Sequence, residues 1–228
     1  MSAIKYFILL FIFFGLGALS IPQEKPVTYQ GIASFYANKF EGRTTANGEK
    51  FSNYDMTCAH RKLPFNTLLK VTNLKNGLST IVRVNDRGPY VKGRIIDLSE
   101  QAARMIGKYQ KGLGKVEIEI IQPLAISTEL DSILKTNPVV DCLGNMAELN
   151  KYSLSIWRTK DLQHALLIAN HLYINQELKK ILIATTGTNK NRKYHLVITD
   201  FESKNDLFKA KDFWERKGFM KVMEFKLK

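Results

Sequence analysis

The sequence predicts a mainly β domain followed by a small α+β domain. Over residues 27–122, short apolar runs alternate with turn signals and include a single helical segment, which is typical of a small β-barrel. After residue 150, strand-like and helical patterns follow one another in the order β-α-β-β-α-β, which is typical of a split α+β sandwich. Residues 123–150 lack apolar periodicity and contain turn formers, so we expect a linker there, with one helical turn at most and no shared core between the domains.

Each element of the first domain has a sequence signal of its own. Asn76-Gly77, a dipeptide favoured in tight hairpin turns, separates two apolar runs. Ser99 is a suitable N-cap for a helix that extends through Ile106 and stops at Gly107. Alternation of apolar residues with glutamates predicts a half-buried last strand. The strands are expected at residues 31–36, 67–72, 79–84, 94–98 and 116–120.

The second domain shows two amphipathic helical patterns between strands. We expect the first helix to begin at Thr159 and the second to begin at Ser203 and end at Gly218. Trp214 falls on the apolar face of the second helix and is assigned to the core. The strands of this domain are expected at residues 152–157, 180–185, 193–199 and 221–227.

The N-terminal residues have the pattern of an export signal. Lys5 precedes an apolar run over residues 6–16, and small residues allow cleavage after Ser20. The run is shorter than the roughly 20 residues that a membrane span needs, although an uncleaved anchor stays open as an alternative. No cysteine follows the run, so no lipid-modified N-terminus is predicted. We therefore expect an exported protein, periplasmic or extracellular, with residues 1–20 as its signal peptide.

The net charge and the cysteine content limit the kinds of binding partner and metal site that we expect. The formal net charge is +13, and such a field favours polyanions. An exported protein seldom meets nucleic acid, so an anionic cell-wall polymer or a membrane surface fits better, with a merely solvated basic surface as the alternative. The chain has two cysteines, Cys58 and Cys142, which could pair outside the cytoplasm or stay free. No metal site is predicted, because no His-Cys cluster supports one.

Three polar clusters stand out against the short strands. They contain acids, a histidine and arginines at predicted strand ends and loops, where a site is commonly built. The clusters are Thr45-Ala46-Asn47-Gly48-Glu49, Thr57-Cys58-Ala59-His60-Arg61-Lys62-Leu63-Pro64, and Val84-Asn85-Asp86-Arg87-Gly88-Pro89-Tyr90 with the following Gly93-Arg94-Ile95-Ile96-Asp97-Leu98-Ser99.

Residues 31 to about 121 resemble the rare lipoprotein A (RlpA) family of septal-ring lytic transglycosylases. The resemblance covers some two-fifths of the chain and implies a double-psi β-barrel, a fold shared with the wall-loosening expansins. Besides the three clusters, it rests on Gly31-Ile32-Ala33-Ser34-Phe35-Tyr36, Gly42-Arg43-Thr44, Val71-Thr72-Asn73-Leu74, Asn76-Gly77 and Val82-Arg83.

The second domain, residues 151–228, resembles a SPOR (sporulation-related repeat) module. The likeness rests on the β-α-β-β-α-β order and on the tract Tyr194-His195-Leu196-Val197-Ile198-Thr199-Asp200-Phe201. It implies binding to peptidoglycan glycan strands stripped of their peptides. Within it, Trp157 and His195 are the candidate glycan contacts, and a core position for Trp157 is the alternative.

The family resemblance implies a cleavage chemistry without water, metal or organic cofactor. A carboxylic acid protonates the glycosidic oxygen between N-acetylmuramic acid and N-acetylglucosamine, and a 1,6-anhydro ring then closes. We assign the acid/base role to Asp86, with turn capping as the alternative. Glu49 is the second carboxylate, or else an exposed loop residue. His60 is placed beside an acid or a sugar hydroxyl, or else in a structural role.

Three further residues are candidates for substrate binding. Tyr36 stacks on a sugar ring or fills the core. Arg87 binds a peptide or lactyl carboxylate, or braces the turn. Asp97 serves the site or forms a buried salt bridge to Arg94 or Arg87.

The chain departs from the family pattern at two positions. Phe35 replaces the usual tryptophan, and Ser52 stands where an acid often follows the glutamate. Ser52 favours a rival interpretation, a non-catalytic barrel that binds peptidoglycan as expansins bind glycan, whereas Asp86, Glu49 and His60 favour the enzyme. The expected partner is the peptidoglycan glycan strand. A structural partner of division-site proteins is a third possibility.

Overall fold

The structure is a computed structural model, and it describes residues 27–36, 38–107, 112, 114–122, 128–141, 143–175, 180–188 and 191–226. The predicted signal peptide and its cleavage after Ser20 lie outside these residues, as does Cys142. Within the described ranges, no helix has both the length and the apolar character that a membrane crossing requires.

Six strands close into a barrel, in the order β1-β5-β2-β4-β3-β6. The β1–β5 and β2–β4 pairs are parallel, and the other pairs around the barrel are antiparallel. This closed barrel confirms the predicted mainly β first domain. The strands are β1 (Thr28–Phe35), β2 (Thr57–His60), β3 (Leu68–Asn73), β4 (Ser79–Asp86), β5 (Arg94–Leu98) and β6 (Gly114–Ile121), with a 3-10 helix at Asn38–Phe40 and helix α1 at Glu100–Met105.

The helix cap and the turn glycines predicted in the barrel are present in the structure. The Ser99 hydroxyl caps α1 by accepting from the Ala102 amide, and Gly107 follows the helix with φ of 69°. Gly77 also has a positive φ, 72°, in the loop between β3 and β4. Glycine adopts a positive φ at little cost, so the residue at each position is enough to explain its turn.

Strand β2 was not predicted as a strand, although it pairs with both β5 and β4 in the barrel wall. It is only four residues long and is buried on both faces, so no alternation marks it. Cys58 within it is a free thiol with 1% exposure. Burial raises the pKa of this thiol, which keeps it protonated and inert.

A second, five-stranded antiparallel sheet forms the C-terminal unit, residues 128–226, with strand order β11-β8-β10-β9-β7. The predicted β-α-β-β-α-β order is present from β8 to β11. Ser203 caps the last helix as expected, whereas the N-cap of the helix before it is Asp161 rather than Thr159. The elements are α2 (Thr128–Thr136), β7 (Val139–Asp141), β8 (Leu154–Thr159), α3 (Leu162–Ile174), β9 (Leu182–Thr186), β10 (Lys193–Ile198), α4 (Lys204–Arg216) and β11 (Met223–Glu224).

The segment expected to be a linker contributes structure to this unit. Helix α2 and strand β7 both fall within residues 123–150, and β7 pairs with β9 at the edge of the sheet. Strand β7 is three residues long, and Pro138 directly precedes it. A run this short has no measurable period, so the sequence pattern did not reveal it.

The barrel and the C-terminal unit share one hydrophobic core, contrary to the expectation of two separate cores. Helix α3 is the reason, because its consecutive residues from Ala165 to Ala169 are all buried, so apolar side chains leave it on more than one face. Polar contacts join the same surfaces: His164 Nε2 donates to the Ile81 carbonyl at 3.2 Å, and His171 Nε2 lies 3.0 Å from the Ser79 carbonyl oxygen.

Candidate active site

Asp86, the last residue of β4, is held by three hydrogen-bond donors. Its Oδ2 accepts from the Tyr36 hydroxyl at 2.6 Å, and its Oδ1 accepts from the Ala46 and Arg87 amides, each at 2.8 Å. The Arg87 contact is the turn cap that was the alternative role. The other two donors come from distant parts of the chain, so the carboxyl group is fixed where β1, β4 and the loop before Glu49 meet.

Asp97 is a second carboxyl group on the same part of the barrel wall. Ala59 of β2 pairs with Asp86 on one side and with Asp97 on the other, so the two acids occupy matching registers on the flanking strands. The Ser34 hydroxyl donates to Asp97 Oδ1. Among the described residues, Asp97 forms no ion pair with Arg94 or Arg87, so the salt bridge that was its alternative role is not observed.

Burial raises the pKa of Asp97, and the charge of Asp86 adds to that shift. The Ser34 hydrogen bond and the charges of Arg94 and Arg61 act in the opposite direction without cancelling it. Gly88 passes close to this group, since a Cβ built on it would lie 3.6 Å from Asp97 Oδ2, and its φ of 137° suits glycine.

Tyr36 combines the two roles that the sequence left open. Its ring packs against Phe51 at 4.5 Å and edge-on to Phe40 at 5.6 Å, while its hydroxyl reaches Asp86. Burial, the Asp86 hydrogen bond and nearby negative charge raise the pKa of Tyr36. The phenol therefore stays protonated and donates to Asp86 throughout the physiological pH range.

Glu49 lies on the loop that leads into the barrel and is fixed by β4. Arg83 donates to both of its carboxylate oxygens at 3.0 and 2.9 Å, and Asn85 donates to Oε2 at 3.1 Å. Burial alone would raise the pKa of Glu49, but the hydrogen bonds from Arg83 and Asn85 outweigh it and lower the pKa. Glu49 is therefore a fixed negative charge rather than a proton donor.

His60 ends β2 and is locked by backbone donors. Its Nδ1 accepts from the Lys62 amide at 3.2 Å and from the Leu63 amide at 3.0 Å, so the ring proton is on Nε2. Burial lowers the pKa of His60, and the charges of Arg87 and Arg61 lower it further. A neutral ring with Nε2–H can donate a hydrogen bond but is not poised as an acid.

Arg87 braces the loop after β2. Its Nη1 donates to the His60 and Leu63 carbonyls at 3.3 and 3.0 Å, and the guanidinium lies 3.7 Å from the Phe65 ring centroid. Arg61 makes the complementary tie, donating to the Pro89 and Val91 carbonyls. These contacts support the bracing role of Arg87 rather than binding of a carboxylate.

Trp157 and His195 are buried, and Trp157 contributes only a small exposed fraction to a cleft between the two units. Trp157 is 5% exposed, and its indole donates to the Tyr54 carbonyl of the barrel at 3.3 Å. His195 is 6% exposed, and its ring nitrogens contact the Ser155 hydroxyl at 3.1 Å and the Thr186 hydroxyl at 2.9 Å. The alternative for Trp157, a core position, is the one observed.

A cleft of about 520 Å³ lies between the barrel and the C-terminal unit, and we call it the inter-unit cleft. Glu49 and Arg83 form part of its barrel side, and Asp55 lies beside them. Burial raises the pKa of Asp55 to about 6. Ser52, the departure noted in the sequence, caps a turn by accepting from the Tyr54 amide and lines a smaller cavity with Asp55.

Sequence reasoning missed Ser34, Arg83, Asn85 and Asp55. The first three alternate with core residues along β1 and β4, so their polar character was visible, but their partners depend on the closure of the barrel. No described group of three or more His, Cys, Asp and Glu residues is arranged to hold a metal ion.

The barrel is similar in sequence to known proteins. Residues 28–118 match a family model described as "Lytic transglycolase". The endolytic peptidoglycan transglycosylase RlpA of Pasteurella multocida is 56% identical over 92 residues, 40% of this chain and 31% of its own length. The protein of the same name from Vibrio cholerae is 54% identical over 101 residues, 44% of this chain and 38% of its own length.

The chain thus spans less than two fifths of the length of these relatives. Among solved structures, it is similar to an expansin of Clavibacter michiganensis in complex with cellohexaose, with a TM-score of 0.37 and 24% identity over 45% of this chain and 54% of that chain. The sequence matches and the closed six-stranded barrel agree: residues 28–118 form a barrel that is similar to the RlpA-like family of double-psi β-barrels.

Proposed function

We propose that this protein is an exported lytic transglycosylase that cleaves peptidoglycan glycan strands and leaves 1,6-anhydro products. The observation that supports this most directly is the pair of carboxyl groups, Asp86 and Asp97, in matching registers on either side of Ala59. The names of the relatives point to the same chemistry. Paired carboxyl groups in unequal surroundings are the usual equipment for breaking a glycosidic bond.

In the proposed reaction, Asp86 carries both proton transfers. Its carboxylic acid gives a proton to the glycosidic oxygen as the bond from that oxygen to C1 of the muramic residue breaks. The carboxylate so formed is stabilised by the hydrogen bonds from Tyr36, Ala46 and Arg87. It then takes the proton of the muramic 6-hydroxyl, whose oxygen bonds to C1 and closes the anhydro ring. No water or cofactor enters this sequence.

The other groups have supporting roles. The negative charge of Glu49 stabilises the oxocarbenium-like state, and Arg83 keeps it ionised. Asp97, whose pKa is raised by burial and by the charge of Asp86, is the second carboxyl group beside Asp86. His60 offers Nε2–H to a sugar hydroxyl, Tyr36 positions Asp86, and Arg87 shapes the loop that carries His60.

For the C-terminal unit we propose a SPOR-like role in binding peptidoglycan. Its order of strands and helices supports this, together with the net charge of the whole chain, +13. Since Trp157 and His195 are buried, contacts with glycan must come from other residues of the unit.

The test is digestion of purified sacculi by the full chain, followed by mass analysis of the released fragments. We expect products with 1,6-anhydromuramic ends. Asp86→Asn should reduce their release by about 10²–10⁴-fold, the usual contribution of a general acid/base. The asparagine oxygen can accept from the Ala46 and Arg87 amides, and its NH2 group can donate to the Tyr36 hydroxyl once that hydroxyl rotates, so unfolding temperature and sacculus binding should be retained. Undiminished release by Asp86→Asn would remove Asp86 from the mechanism.

The alternative function is a non-catalytic barrel that binds and organises peptidoglycan. Two observations favour it: Ser52 replaces an expected acid, and Glu49 is committed to Arg83. It predicts binding to sacculi with no anhydro product from the wild-type chain at any pH. Ser52→Asp separates the two functions further, because a gain in product release would show that this departure weakens an enzyme.

A further inference from the structure

The inter-unit cleft has one wall from each unit, and both walls are fixed. Glu49, Lys50 and Asp55 belong to the barrel wall, and Arg158, Lys160 and Lys193 belong to the wall formed by the C-terminal unit. The Trp157 indole bond to Tyr54 and the His164 bond to Ile81 join the two sides, and the hydrophobic core continues beneath them. The geometry of the cleft is therefore set by the fold.

The side chains that line this cleft carry an excess of positive charge. Arg158, Lys160 and Lys193 form no ion pair with any other residue that the structure describes. Lys50 on the opposite wall donates to the Thr44 hydroxyl and not to an acid. On the acidic side, Glu49 is ionised and forms a salt bridge with Arg83. Four cations therefore face Asp55 as the one acid without a salt bridge, and its raised pKa reduces even that charge at neutral pH.

We propose that the inter-unit cleft is a carboxylate-binding subsite, in which Arg158, Lys160 and Lys193 hold a carboxylate of the strand while the neighbouring sugars reach Glu49. This inference rests on the proposed function. It gives the C-terminal unit a direct part in the site, beyond that of a separate tether.

The chemistry of the strand supports this assignment. Peptidoglycan carries carboxylates in two places: on the stem peptides, and on the lactyl group of muramic acid once the peptide has been removed. Lysine and arginine bind carboxylates through charge-assisted hydrogen bonds, which strengthen where a cleft excludes water. A neutral glycan offers these three residues only uncharged hydroxyl and amide acceptors, which bind them more weakly than a carboxylate does.

The experiment measures binding without turnover, in an Asp86→Asn background. Soluble strands labelled at one end are prepared with peptides, without peptides, and in both forms after their carboxylates have been converted to neutral amides. The test variant is Arg158→Gln with Lys160→Gln and Lys193→Gln. The matched control, with the same loss of charge, is Lys204→Gln with Lys209→Gln and Lys217→Gln, three exposed lysines of α4 and its C-cap.

We expect the test variant to bind strands with free carboxylates at least about tenfold more weakly, the size of one good charged contact. The control variant should change the affinity far less. Amidating the strands should weaken their binding to the intact cleft as much as the test variant weakens the binding of strands with free carboxylates. A loss confined to peptide-free strands identifies the lactyl carboxylate, and a loss on peptide-bearing strands identifies the stem.

Two results would overturn the proposal: equal affinities for the test and control variants, or amidated strands that bind as tightly as free ones. The unfolding temperatures of both variants show whether the fold around the cleft is intact. The separate variant Lys160→Arg with Lys193→Arg keeps the charge of the cleft and should bind as tightly as the unsubstituted cleft. Failure of the proposed function would look different. The chain with Asp86 intact would then release no anhydro product, while the contrast in affinity would persist.

Discussion

At the scale of single residues, Glu49 is the clearest case in which a partner defines a role. Its exposed loop position would leave the carboxylate free to move, but the two bonds from Arg83 and the bond from Asn85 fix it. Arg83 is 11% exposed at its side chain and Glu49 is 42% exposed, so the ion pair lies at the edge of the cleft. Such a partly exposed ion pair contributes little to the free energy of unfolding, and its main effect is to fix the position of the Glu49 charge.

We expect Glu49→Gln to slow product release by about 10²–10⁴-fold, because the transition state loses a placed negative charge. Arg83→Gln is the companion variant. Since Arg83 lowers the pKa of Glu49, its removal should shift the acidic limb of the pH–rate profile to higher pH. Steady-state rates across pH check both variants, and wild-type rates in Glu49→Gln would make this residue a bystander.

Asp55 provides a test based on stability. Its folded pKa of about 6 lies above the unfolded value of roughly 3.9. As pH rises between these values, the unfolded chain loses a proton that the folded chain keeps, so the folded state loses stability, and the full cost is present above the folded pKa.

Asp55→Asn should therefore raise the free energy of unfolding by roughly 1–3 kcal/mol above pH 6, a range that allows for solvent screening. The difference should shrink as the pH falls towards the unfolded pKa and vanish below it, at about pH 3. Urea unfolding at both pH values measures the effect. Asp212→Asn, which breaks an exposed ion pair with Arg216, is the control and should change stability little at either pH. Equal stability of Asp55→Asn and wild type at high pH would contradict the prediction.

At the scale of elements, the sequence predicted those parts of the fold whose signals are local. The hairpin at Gly77, the Ser99 cap and the alternation of β6 each depend on a few neighbouring residues. Strands β2 and β7 escaped prediction because they are short and lack a period, and only their partners across the sheets define them.

The candidate site follows the same division. Asp86, Asp97, Glu49 and His60 were predicted from the motifs that contain them, and the structure places Asp86 and Asp97 on either side of Ala59. Pairings such as Ser34 with Asp97 depend on closure of the barrel and have no local signature. For Trp157 the sequence left a glycan contact and a core position open, because an aromatic residue on a strand carries the same signal in either setting, and the residue is buried.

The contact of β8 with the barrel gives a prediction at this scale. Trp157→Phe keeps an aromatic ring but removes the donor to the Tyr54 carbonyl, which should cost about 1 kcal/mol beyond the loss of packing. Trp214→Phe is the matched control, because Trp214 is 4% exposed and its indole nitrogen has no hydrogen bond to another described residue. Denaturant unfolding of both variants gives the difference, and equal losses would show that the indole bond is unimportant.

At the scale of the whole molecule, the two units act as one folded body. Residues of both belong to a single hydrophobic core, and α3 is buried between them. The advantage for the proposed function is that the basic wall of the cleft stays in register with Glu49. Two domains on a flexible tether would have to pay the entropy of ordering that arrangement each time a strand bound.

The shared core predicts how the barrel behaves alone. A fragment of residues 27–122 exposes the surface around Ile81, which is 4% exposed in the intact chain. It should therefore bind an apolar dye and unfold at a lower temperature, by about 4–8 °C for each kcal/mol lost in a domain of this size.

As the control, a protease site placed between residues 122 and 128 of the full chain is cleaved after folding. The two halves should stay associated with the unfolding temperature of the intact protein, because the core and not the connection holds them. An isolated fragment as stable as the full chain, with no dye binding, would show that the barrel is independent.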